Sequence, residues 1–494
     1  MSTTAAASTV RQLVGYDNFK RSNPKSDKFE IIGFHHVEFY CCDATNISRR
    51  FSYALGMPIV ATSNLGSGNV FYSSTVIKSH SLCFVFTAPY GRSFTKIEGK
   101  EKALPPHPGY DQEQANNFIA GEVSLLPTCQ PYQSVSFVIT DFQMPDLNYS
   151  EAIRHQYSYH EQNYNEATKI ISLQYDDLFM INTDHGLAVR AIAIRVADAE
   201  VAYSISTKNG AIGIFAPHTL IDHETGKSMV VSEIKMFGDV VIRWVSGEFI
   251  GPMLPNYHLN GNSPPQNITV GSNDSAVAHE CLSVDADNNT KTLGILRLDH
   301  SVSNVPNLFD AVDYLTAAIG LHEFAEFCSA DIGTLDSGLN SMVLASNNEM
   351  VLLPINEPTF GTKRQSQIQT FLDHNNGAGL QHLALLSKDI FYTVREMKRR
   401  GDEGCGFEFM KPPTSDYYAK VSERIGKNVL TAHQMIELQA LGILADKDDQ
   451  VRCLHHCVTS INPLDSLSLN SNLYPQIKNT IYCQHDFMIN ILTI

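Results

Sequence analysis

A chain of 494 residues, 43% of them hydrophobic, is long enough to bury a large core and to form two domains or more. Its formal charge of −16 argues against nucleic acid and anionic membrane as partners, and no apolar run is long enough to span a bilayer. Ten cysteines in a chain this long, without paired C-x-x-C spacing, read as reduced thiols rather than a disulfide framework. The group Cys453-Leu454-His455-His456-Cys457 lacks the second ligand pair that a structural zinc site needs.

Residues 1–28 are polar and read as a disordered leader. Residues 33–40 alternate like a half-buried strand. Asp43 can cap a helix through Leu55, and Gly56 stops it. Strands are expected at 69–77 and 81–89. The same grammar then returns three times. His36 to Gly56 and His300 to Gly320 each span 20 residues; Ala191 to Gly210 and His382 to Gly401 each span 19. In each case a strand precedes an amphipathic helix that ends at glycine. Such recurrence implies an α+β chain of four duplicated βαβββ modules, paired into two domains. The expected N-terminal domain is 29–245, interrupted by a Tyr/Asn/Gln-rich insertion at 110–183. A polar, Asn-rich linker follows at 246–292, then a C-terminal domain at 293–450 and a tail at 451–494.

The repeat also locates a metal. It sets His300 and His382 at one point of two successive modules, whereas the earlier pair offers His36 and Ala191. A lone histidine is more often packed than ligating, so His36 reads as structural. Neutral imidazole is the commonest metal ligand, and two histidines with one carboxylate suit non-haem Fe(II).

Three stretches carry a resemblance: 337–358 (SGLNSMVLASNNEMVLLPINEP), 361–391 (GTKRQSQIQTFLDHNNGAGLQHLALLSKDIF) and 441–450 (LGILADKDDQ). They are similar to the C-terminal half of plant-type 4-hydroxyphenylpyruvate dioxygenases, and 33–107 and 185–245 resemble the N-terminal half. The resemblance implies a vicinal-oxygen-chelate fold in which each pair of modules forms an open barrel. It implies Fe(II) held by His300, His382 and a glutamate, and a 2-oxo acid substrate that chelates the iron and reacts with dioxygen. The reaction implied is conversion of 4-hydroxyphenylpyruvate to homogentisate and carbon dioxide, in tyrosine and phenylalanine catabolism and in tocopherol and plastoquinone precursor supply. Ser341, Asn356, Gln367 and Gln381 match the family's substrate contacts, and uncharged amides and hydroxyls suit that task because they hydrogen-bond without adding charge near the iron. Gln381 directly precedes His382, so in a regular strand it faces the other way unless the strand is bulged. The expected compartment is the cytoplasm, with a plastid as the alternative, and the expected protein partner is a second copy of the chain.

After Gln450 the pattern is lost. The glutamate ligand is expected near 466–470, where there is none; the nearest carboxylates are Asp465 and Asp486. The last module is therefore expected to lack its closing strands and to leave an exposed sheet edge. A second reading follows, in which the chain is a non-enzymatic form lacking the third iron ligand.

Overall fold

The computed structural model describes residues 11–65, 69, 72–90, 94–97, 100–103, 181, 184–222, 225–255, 257–259, 292–329, 338–361, 363–409, 412–427, 429–447, 452–459 and 487–492, with backbone alone in 94–103 and beyond 445. The chain divides into two compact units, Met1–Ala88 with Leu178–Ile494, and Pro89–Asp177.

In the larger unit the first half supplies β1 (Ile31–Tyr40), α1 (Ala44–Leu55), β2 (Ile59–Ser63), β3 (Tyr72–Ser79) and β4 (Leu82–Pro89). The other unit contributes an antiparallel hairpin, β5 (Phe94–Ile97) and β6 (Lys100–Ala103). The larger unit then resumes with β7 (Ala188–Val196), α2 (Ala199–Lys208), β8 (Gly213–Ile221), β9 (Ser228–Phe237), β10 (Val240–Gly247) and β11 (His258–Leu259). Its second half repeats the plan with β12 (Ile295–Asn304), α3 (Leu308–Ile319), β13 (His322–Phe327), β14 (Leu339–Ala345), β15 (Leu352–Pro358), α4 (Gln367–His374), β16 (Gly379–Ser387) and α5 (Ile390–Asp402). It ends with β17 (Glu408–Phe409), α6 (Ser415–Ala419), α7 (Val421–Ile425), α8 (Ala432–Leu441), β18 (Leu444–Lys447), β19 (Arg452–Thr459) and β20 (Phe487–Leu492). None of the described helices is long and apolar enough to cross a membrane.

The modules are copies down to their caps. Asp43, Asp198, Asn307 and Asp389 stand seven residues after His36, Ala191, His300 and His382, and each accepts a backbone N–H from its helix's first turn. Gly56 and Gly320 end α1 and α3 in the left-handed region, with φ of 62° and 94°. Gly401 departs from expectation, because α5 runs past it and Gly404 takes the positive φ. A Cβ at Gly401 would lie 2.7 Å from the Phe407 carbonyl oxygen, so this glycine permits close packing rather than a stop.

The two sheets run in equivalent orders. The first is β11-β2-β3-β4-β1-β7-β10-β9-β8, and the second is β13-β14-β15-β12-β16-β20-β19-β17 with β18 on β19. One core joins both halves: Phe39, Phe51, Phe86 and Trp244 belong to the same buried cluster as Leu298, Leu315, Leu344 and Leu385. The Phe51 and Phe407 rings meet edge-on at 4.8 Å, and the Arg400 guanidinium donates to the Tyr53 carbonyl.

Three regions differ from the sequence reading. The described leader residues, 11–28, are packed rather than disordered: Tyr16 stacks on Phe327 at 5.0 Å, the Gly15 amide donates to Glu326 at 2.7 Å, and Arg21 pairs with Glu349 at 2.6 Å. Tertiary partners some 300 residues away override the polar local composition. The start of the expected linker folds back on the first sheet, because Met253, Leu254 and Tyr257 interrupt its polarity with apolar surface. There Tyr257 shares a hydrogen bond with Ser74 at 2.9 Å, and β11 pairs with β2. The expected open edge beside β16 is covered, since β20 pairs antiparallel with β16 and parallel with β19. Phe487, Ile489 and Ile491 give β20 the β-branched and aromatic residues that favour a strand, and a free edge favours its pairing. Residues 104–180, which include most of the expected insertion, lie outside the described residues.

Candidate metal centre

His300 lies on β12 and His382 on β16, adjacent antiparallel strands. Val302 pairs with His382 and His300 pairs with Ala384, so the two imidazoles share one face of the sheet. Both side chains are buried, and their ring centroids are 6.1 Å apart at 72°. With metal–nitrogen bonds of about 2 Å, about 1.1 Å more to each ring centre and an N–metal–N angle of about 90–110°, two ligating imidazoles stand about 4.5–5 Å centre to centre. The 6.1 Å seen here is wider, so the two rings must draw together to share one ion.

Each histidine follows a β-bulge. The register skips Asp299 on β12 and Gln381 on β16. A bulge re-aims its extra residue, and both turn toward the next side chain. Asp299 Oδ2 lies 3.0 Å from His300 Nδ1, and Gln381 Oε1 lies 2.9 Å from His382 Nδ1. An oxygen acceptor at Nδ1 holds the proton there, which makes Nε2 the lone-pair nitrogen, the usual arrangement around ligating histidines. Nε2 of His300 is buried without a hydrogen-bond partner among the described residues. The Arg297 guanidinium in turn donates to Asp299 at 2.9 Å.

The same face carries the expected polar residues. Ser341 and Asn356 are register partners across β14 and β15, and both are buried. Asn356 Nδ2 donates to Asn304 Oδ1 at 3.2 Å, while Asn356 Oδ1 and Asn304 Nδ2 find no partner among the described residues. Each such buried orphan costs about 1–3 kcal/mol, so a polar ligand that satisfied them would be favoured. Phe324, Phe327, Val343 and Leu352 form an apolar cluster with Ile368 and Leu372 of α4, whose first turn carries the half-buried Gln367. Gln381, expected among the substrate contacts, lies against His382 through its Oε1. Asp299 and Asn304 were missed by sequence reasoning. Asp299 could have been found from its place before His300, which matches Gln381 before His382, and Asn304 from the two-residue period that sets it on the His300 face. Among the described residues no cluster of three His, Cys, Asp or Glu side chains surrounds a metal position. Asp465, Asp486 and 466–470 lie outside the described residues.

The first sheet repeats this geometry with a cation built in. His36 follows a bulge at His35, whose Nδ1 is 2.7 Å from His36 Nδ1. On the other side, Arg243 of β10 places Nη1 3.0 Å from His36 Nε2. The guanidinium also pairs with Glu38 and Glu233, each at 2.7 Å. Thr87 donates to Glu38 at 2.6 Å. Burial, reinforced by His35 and Arg243, lowers the His36 pKa well below that of a free imidazole. His36 is thus a neutral acceptor in a closed ion network, in keeping with a structural role.

Residues 297–424 match the Glyoxalase/Bleomycin resistance protein/Dioxygenase superfamily. The whole chain resembles in structure a mutant 4-hydroxymandelate synthase from Streptomyces coelicolor, with a TM-score of 0.57 at 16% identity over 94% of this chain and 92% of the other. That likeness shows the fold. Sequence similarity is closer. The chain is 41% identical over 446 residues to 4-hydroxyphenylpyruvate dioxygenase of Arabidopsis thaliana, covering 90% of this chain and 80% of the relative. It is 42% identical to the Daucus carota enzyme of the same name, over 89% and 78% of the two chains. The chain therefore belongs to the 4-hydroxyphenylpyruvate dioxygenase family, whose members are Fe(II) dioxygenases.

Proposed function

We propose that this chain binds Fe(II) through His300 and His382 and converts 4-hydroxyphenylpyruvate and dioxygen to homogentisate and carbon dioxide, slowly if no carboxylate joins the pair, since none does among the described residues. The observation that carries the reading is the pair of imidazoles on one buried face, each with an oxygen acceptor on Nδ1. Bound Fe(II) would supply the dioxygen chemistry needed for oxidative decarboxylation and ring hydroxylation. The chain's own residues bind and orient. Ser341, Asn356 and Asn304 offer uncharged hydrogen-bond groups to the polar ends of the substrate, and Gln367 stands at the adjoining helix start. Phe327, Val343 and Leu352 line a water-poor wall for its ring. Asp299 and Gln381 hold the imidazole tautomers.

A second reading, a non-catalytic member of the family, is favoured by the lack of a third acidic or imidazole ligand among the described residues. Anaerobic Fe(II) titration, followed by dioxygen uptake with 4-hydroxyphenylpyruvate, separates the two. Turnover abolished by both His300→Ala and His382→Ala supports the enzyme. A folded, iron-loaded chain that consumes no dioxygen supports the second reading. The cytoplasm, with the plastid as alternative, and a homodimer belong to the proposal and are tested by fractionation and sedimentation.

A further inference from the structure

One row of side chains crosses the proposed pocket on four strands of the second sheet. Asn304 pairs with Asn356, Asn356 with Ser341, and Ser341 with Phe327. The row reaches the end of the sheet there, because β13 is its first strand. A fifth member comes from the other end of the chain. Tyr16 lies flat on the Phe327 ring, with centroids 5.0 Å apart and planes 8° from parallel, and it packs against the apolar cluster that contains Phe327, Val343 and Leu352.

The chain around Tyr16 is shaped to set it there. Glu326 pairs with Met342, which packs in the main core, so Glu326 and Phe327 face opposite sides of the sheet. Glu326 accepts the backbone N–H groups of Val14 and Gly15. The leader thus crosses the edge of β13 between Gly15 and Tyr16. Gly15 makes that turn with φ 85° and ψ 160°, a combination open essentially to glycine alone. On either side the strap is anchored by ion pairs, Arg11 with Asp313 and Arg21 with Glu349, each at 2.6 Å.

We infer that Tyr16 is a positioning residue of the substrate pocket: its ring fixes the orientation of Phe327 and so sets how the wall receives the aromatic ring of the ligand. The inference rests on the pocket reading above. Phe327 stands on an edge strand, and Tyr16 covers one face of its ring, which leaves the rest of the ring to the pocket. A stacked aromatic pair is strong enough to bias such an orientation about 2–10-fold.

The test is a calorimetric titration of the full-length, Fe(II)-loaded protein without dioxygen, with 4-hydroxyphenylpyruvate and with pyruvate, a 2-oxo acid that lacks the ring. Wild type, Tyr16→Ala, Tyr16→Phe and Arg11→Gln are compared, and thermal midpoints confirm that each folds. Tyr16→Leu replaces the alanine variant if that one does not fold. Tyr16→Ala should weaken 4-hydroxyphenylpyruvate binding by about 2–10-fold and leave the affinities for pyruvate and Fe(II) unchanged. Tyr16→Phe, which keeps the stack, should bind as wild type, and so should Arg11→Gln, which loosens the strap away from the wall. Tyr16→Ala that matches wild type, or Tyr16→Phe as weak as Tyr16→Ala, overturns the inference. An equal loss for both ligands, or a loss shared by Arg11→Gln, also overturns it, since either marks general loosening rather than a positioned ring. If wild type itself binds no 4-hydroxyphenylpyruvate, the pocket reading fails and takes the inference with it.

Discussion

Replacing Arg243 by leucine removes the cation at the centre of the first sheet's polar network. Arg243 is 8% exposed, and its two carboxylate partners, Glu38 and Glu233, are 7% and 1% exposed. Desolvation alone would favour the neutral form of the guanidinium. The carboxylates overcome that penalty and hold its pKa above the ordinary arginine value. Stripping one partner from a buried ion pair costs about 3–5 kcal/mol, because the remaining charge stays buried and uncompensated. Here two carboxylates are left, together with the Nε2 acceptor of His36. We therefore expect Arg243→Leu to lose about 4 kcal/mol or more, a large share of a typical total of about 5–15 kcal/mol. Urea unfolding at pH 7.5 reads this directly. Arg243→Leu combined with Glu38→Gln and Glu233→Gln should recover most of the loss, since neutral amides need no counter-charge. Arg243→Lys should not, because one ammonium on a flexible stem cannot reproduce the planar fork that serves Glu38, Glu233 and His36 together. A single variant within about 1 kcal/mol of wild type, or a triple variant no better than the single, would refute the account, since surface-like pairs are worth about that little.

Burial, with Arg195, Lys78 and Arg243 adding to it, pushes His35 from 6.5 down to about 3, and burial lowers His36 likewise. Both stay neutral in the fold while the unfolded chain protonates below about pH 6.5, so their contribution is full above that pH. It should fall by about 1.4 kcal/mol per histidine for each pH unit below it; urea midpoints flat from pH 8 to 5 in wild type would contradict this. Gly320 has φ +94° and would place a Cβ 2.2 Å from the Ser26 carbonyl oxygen. Gly320→Ala should accordingly cost about 2 kcal/mol or more and speed proteolysis ahead of Lys28, as an assay with trypsin can show. Gln381→Leu and Asp299→Ala should each weaken Fe(II) binding by about 10–100-fold without displacing the histidines, measured by the same anaerobic titration.

The features legible in the sequence are those written locally and repeated. Strand, Asx cap, helix and glycine recur at a fixed spacing from His36, Ala191, His300 and His382, so the module, its duplication and the histidine pair can be read along the chain. The apolar alternation of each strand likewise declares which residues share a face. Other features depend on contacts between residues far apart, which leave no local trace. Arg243 is an ordinary strand arginine until β10 is laid two strands from β1 and the guanidinium meets His36 across a 207-residue separation. Tyr16 belongs to a polar leader until Phe327 is set beneath it. The bulges at Asp299 and Gln381 appear only in the pairing of β12 with β16, because a bulge is a property of two strands rather than one. β20 shows the same dependence: its stretch departs from the pattern that marks the preceding modules, and only strand pairing sets it antiparallel beside β16, two strands from β12.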